Sequence, residues 1–119
     1  MEDILSGENN ADLMKLIDLV AYFRNGGTFE SFCKVNQLSA KSEVIEIYAQ
    51  SPVSLESQLG FFPIEKTKGQ AEFLSDGIKY QTLFDFFYFL DVIEDIKSRK
   101  IFGNAELAQT LLSYALKDA

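Results

Sequence analysis

Residues 76–100, DGIKYQTLFDFFYFLDVIEDIKSRK, constrain this chain more than any other stretch. An Asp-Gly pair between two alternating runs is among the strongest short-range hairpin signals, because both central turn positions need positive φ. Residues 71–75 and 78–82 flank that pair. Ile78 and Tyr80 alternate with Lys79 and Gln81, as a strand with one buried face requires. Thr82 then stands where a helix needs a cap, with Asp85 near the positive helix end. A helix is expected to run on to about Lys100, where Lys97, Arg99 and Lys100 suit the negative end of its dipole. Leu83, Phe86, Phe87, Leu90 and Ile93 form its core stripe by helical spacing. Phe84, Tyr88, Asp91, Glu94 and Asp95 are left on the outer side.

Upstream, residues 1–9 read as a loose leader, acidic and without periodicity. A helix is expected over 11–24, capped by Asn10, with Leu13, Leu16, Ile17, Val20 and Phe23 as its buried stripe. Asn25-Gly26-Gly27 ends it, since glycine takes the left-handed conformation of helix termini. Thr28 caps a second helix over 29–37 that buries Phe29, Phe32 and Cys33, with Val35 at the margin. Residues 40–50 admit two readings. The segment 44–48 is β-branched enough for a strand, but Ser39 as a cap and the flanking 40–43 favour a third helix. Pro52 closes that element, 53–59 is a turn or loop, and 61–67 is an edge strand in which Pro63 is tolerated. Gly69 breaks that strand. After the long helix, Gly103 is a stop and Asn104 caps a last helix over 105–117 with Leu107, Leu111, Leu112, Tyr114 and Leu116. The expected fold is one α+β domain over 1–119, mainly helical. It has two or three N-terminal helices, a small antiparallel hairpin or meander, and two C-terminal helices.

The residue inventory excludes most chemistry. No histidine is present, which removes the commonest general base and transition-metal ligand. A single cysteine, Cys33, forms no internal disulfide and no Cys/His zinc site, and it favours a reducing compartment. No phosphate loop, dinucleotide fingerprint, EF-hand spacing or nucleophile elbow appears. Asp91, Glu94 and Asp95 share one helix face and could do paired-carboxylate acid/base work, but consecutive acids on an exposed helix lack the enclosure that opposed pKa tuning needs. Cys33 lies between Phe32 and Lys34 with no base to activate it. The expectation is a non-enzymatic protein without metal or cofactor. The N-terminus lacks a basic region followed by an apolar run, and no apolar run approaches a membrane span, so a cytoplasmic chain is expected.

Binding remains, and charge orders the alternatives. The net charge of −7 repels phosphate backbones and anionic membranes, and steers basic partners inward. Residues 28–48 carry a superficial helix-turn-helix pattern. Glu43 occupies the position where such units place an apolar β-branched residue, and the would-be recognition helix sets Lys41 against Glu43 and Glu46. A DNA-binding regulator is therefore the least favoured reading. A helical adaptor or homodimer built on the last helix is a second. The favoured one is capture of a basic protein by Tyr88, Asp91, Glu94 and Asp95, the tyrosine supplying rigid area and the acids steering and pairing with Arg or Lys.

The segment GIKYQTLFDFFYFLDVIEDIK, with the chain's size, acidity and helix-rich α+β pattern, resembles the small immunity proteins of bacterial toxin systems, including contact-dependent inhibition. That resemblance implies binding and blocking of a cognate toxin, often a basic nuclease, inside the producing cell. It does not locate the interface.

Overall fold

Strand pairing, and not helix propensity, decides the centre of the chain. The structure, a computed structural model, describes residues 14–38, 44–97 and 103–118. Ile45–Gln50 forms strand β1, flanked on one side by β2 (Leu59–Pro63) and on the other by β4 (Ile78–Asp85). The third helix expected over 40–50 is thereby corrected for its second half; its first residues and the Ser39 cap lie outside the described residues. Ile45, Ile47 and Ala49 are buried toward one face while Tyr48 is buried toward the other. Only a central strand makes that demand. The correction also removes the second helix of the helix-turn-helix pattern.

The sheet order is β2-β1-β4-β3, with β3 at Glu72–Ser75 and every pair antiparallel. Four strands thus replace the expected hairpin or meander. Asp76 and Gly77, at φ 52° and 79°, make the β3–β4 turn as their sequence requires. Ile78, expected inside, is 39 % exposed beside that turn. A bulge opposite Ile47 and Tyr48 leaves Leu83 unpaired on β4 and re-aims the strand. Phe62 on one edge strand and Phe73 on the other bring their rings to 5.1 Å, so the sheet curls until its edges face each other.

The expected strand over 61–67 stops at Pro63, and Ile64–Thr67 forms a single turn of helix, α3. Two helices precede the sheet, α1 (Leu16–Arg24) and α2 (Phe29–Val35). Helix α1 begins later than its periodicity suggests. Asp18 Oδ2 accepts from the Lys15 N–H at 3.0 Å and Met14 is already non-helical, its carbonyl accepting from Leu59 N–H at 2.8 Å. The Asn10 cap lies outside the described residues. Gly26, at φ 100°, ends α1, and Thr28 Oγ1 caps α2 by accepting from Ser31 N–H at 3.1 Å. Val35, the marginal position, is 70 % exposed.

The larger correction falls on the long helix. Thr82 sits inside β4, paired with Tyr48. The strand continues to Asp85, whose Oδ1 accepts from Tyr88 N–H at 2.8 Å and caps α4, Phe86–Lys97. Packing against the sheet and the other helices, not the helix start, sets which face of α4 is buried. Its buried face is Phe86, Phe89, Ile93 and Ile96, while Phe87 stands 47 % exposed. The last helix, α5, spans Asn104–Asp118. Asn104 is its first residue, and its Oδ1 accepts from Arg24 Nη1 at 3.1 Å.

Helices α1, α2, α4 and α5 cover one face of the sheet in a single apolar cluster. Phe86 is its hub, with the rings of Phe23, Phe29, Phe32, Phe61 and Phe89 all within 5.9 Å. The opposite, concave face holds a smaller aromatic group of Tyr48, Phe62, Phe73 and Tyr80. A Cβ on Gly60 would meet Phe62 and Tyr80 at 2.8 Å, so that position must stay small for the rings to close.

The Tyr48 hydroxyl donates to the Gln70 carbonyl and lies 3.2 Å from Glu46 Oε1, which also accepts from Thr67 Oγ1 at 2.9 Å. Burial pushes the Tyr48 phenol above its ordinary value of 10.0. The folded state then holds a proton that the unfolded state releases. Its stabilising contribution is complete below about pH 10 and is lost as pH rises through the folded-state value. Tyr48→Phe should cost about 1 kcal/mol at neutral pH through the lost hydrogen bond. It should also flatten the alkaline fall in stability, as read by urea unfolding between pH 8 and 11.

Candidate functional site

One surface of α4 gathers exposed acids beside aromatic rings. Helices α1, α2 and α5 place Asp18, Glu30 and Glu106 in their first turns and Arg24, Lys34 and Lys117 in their last, following the dipole. Helix α4 has its acid at the cap, Asp85, and its last turn holds Glu94 and Asp95 together with Lys97.

Tyr88, Asp91, Glu94 and Asp95 all lie on the side of α4 away from the core. The three acids are exposed and Tyr88 is half-buried. They share one helical surface with Phe87, whose ring reaches Phe29 at 5.6 Å. Phe84 joins Tyr88 as expected, at 5.7 Å, although by the strand-to-helix corner and not by helical spacing. Phe84 also stacks on Phe89 at 6.2 Å and 17°.

Sequence reasoning missed what α5 adds. Its buried stripe is Leu107, Ala108, Leu111, Leu112 and Ala115, so Tyr114 and Leu116 fall on the stripe's two flanks. Tyr114, 51 % exposed, stacks on Tyr88 with ring centroids 5.6 Å apart and planes 12° from parallel. Between the two helices and the end of β4 lies an open groove of about 350 Å³, lined by Leu83, Phe84, Asp85, Tyr88, Tyr114 and Ala115. The small residues Ala108 and Ala115 were the sequence signal. They complete the buried stripe at helical spacing, which leaves Tyr114 off it.

Asp91, Glu94 and Asp95 lie within about one turn of α4, each exposed to solvent. Among the described residues no group of three or more Asp, Glu, His or Cys is placed to hold a metal ion, and no helix is long and apolar enough to cross a membrane. Cys33 is buried, and desolvation raises its thiol above the ordinary value of 9.0. A thiol reagent at neutral pH should therefore label the native protein only at its rate of opening, and label it rapidly in denaturing urea. Stoichiometric labelling of the native protein within seconds would place Cys33 at the surface.

No protein-family model, curated protein or solved structure matches this chain.

Proposed function

We propose that this protein acts by binding a basic protein through the outer face of α4, most concretely as an immunity protein that neutralises a cationic toxin such as a nuclease. The observation that carries this reading is the outer face of α4, where exposed acids adjoin aromatic rings. Asp91, Glu94 and Asp95 stand exposed beside the aromatic surface of Phe87 and Tyr88. Exposed aromatic area next to carboxylates is the composition of a hot spot for arginine-rich and lysine-rich surfaces. The net charge of −7 adds long-range steering. In this mechanism the acids stand in for the negative charge of a nucleic-acid substrate, or cover the groove that receives it. The cell compartment would be the cytoplasm of the producing cell, before the toxin meets its target.

Capture on the immobilised protein tests the reading, with Asp91→Lys/Glu94→Lys as the paired bait. A basic protein held by the native bait and lost from the reversed one is expected. A partner recovered equally by both would place the interface elsewhere.

The exposed apolar positions Tyr114 and Leu116 favour one second reading, a homodimer through α5. Light scattering during size exclusion separates the two. A dimer that dissociates on Leu116→Lys would support self-association over capture.

A further inference from the structure

The acidic ridge of α4 explains attraction to any cation, but the groove beside it is more selective. Its walls are aromatic and aliphatic: Phe84, Tyr88 and Tyr114 with Leu83 and Ala115. The carboxylate Asp85 stands at its rim, fixed in place by accepting from Tyr88 N–H. Asp91 and Asp95 follow Tyr88 along the same helical surface. Against these acids α5 sets one basic residue near the groove, Lys117, a turn beyond Tyr114.

We infer that this groove receives one arginine side chain of the basic partner, its guanidinium stacked on the Tyr114 ring and its stem lying along Phe84. The inference rests on the reading of α4 as a cation-binding face and narrows it to a residue type. A guanidinium is planar and weakly hydrated, so it stacks on an aromatic face while keeping in-plane N–H groups for carboxylates. An ammonium is a compact, strongly hydrated charge and gains less from the same ring. The Tyr88–Tyr114 stack holds the Tyr114 ring in a fixed orientation, with half of its surface open to solvent. A groove so built discriminates at equal charge, which exposed carboxylates alone do not.

The probes are hexa-arginine and hexa-lysine peptides, titrated into the full-length protein at fixed ionic strength and followed by NMR. The arginine peptide is expected to bind about tenfold more tightly, with shifts at the ring protons of Tyr88 and Tyr114. Tyr114→Ala should reduce that preference to about twofold or less, and Tyr114→Phe should keep it, since the ring face is what matters. Equal affinities that both fall on Asp91→Lys/Glu94→Lys would leave the cation-binding face standing and overturn the arginine groove. An arginine preference that survives Tyr114→Ala would overturn it as well. Binding of neither peptide would overturn both.

Discussion

Phe86→Ala is expected to destabilise the fold by about 3–5 kcal/mol, measured as the shift in urea midpoint at unchanged slope. The side chain is fully buried, and five aromatic rings surround it within 5.9 Å. Those rings come from α1, α2, β2 and α4, so no single element can collapse into the space left behind. A domain of this size has about 5–15 kcal/mol of net stability, and the variant should sit close to the threshold of folding. The neighbouring Phe87→Ala, at a half-exposed position, should cost no more than about 1.5 kcal/mol. That contrast tests the phase of α4 directly. If the stripe suggested by the local sequence held, both residues would belong to the core and cost similar amounts.

Local chemistry that needs no partner was legible in the sequence. The Asp76-Gly77 turn, the Thr28 cap and the stop at Gly26 all appear where their residue types demand them. The α+β class followed from those signals. What escaped depends on contacts distant in sequence. Ile45–Gln50 looks helical beside Ala40 and Glu43, but pairing with β2 and β4 and burial on both faces outweigh that weak preference. Thr82 has the chemistry of a cap, yet its pairing with Tyr48 keeps it in β4 and passes the capping role to Asp85.

The candidate site divides the same way. Asp91, Glu94 and Asp95 were readable because charge on an apolar-striped helix must face outward. Tyr88 was placed on the outer side for a partly mistaken reason, since the buried face of α4 differs from the expected stripe. The contact of Tyr114 with Tyr88 was out of reach, because only the packing of α5 beside β4 brings the two rings together.

The second large effect concerns affinity. Asp91→Lys/Glu94→Lys exchanges two exposed carboxylates for two ammonium groups. Juxtaposing those with a basic partner should weaken binding by roughly 100-fold or more. The fold should hold within about 1 kcal/mol, because both side chains are exposed. Loss of binding with retained stability is the signature of residues kept for a partner and not for the fold.

The most direct measurement of the central claim is the affinity of the captured partner for native and doubly reversed protein across a salt series. A charge-steered interface on α4 predicts native binding that weakens roughly tenfold or more between low and high salt, and a reversed variant that binds poorly at every salt concentration. Native binding indifferent to ionic strength, with Asp91→Lys/Glu94→Lys binding as tightly, would contradict it.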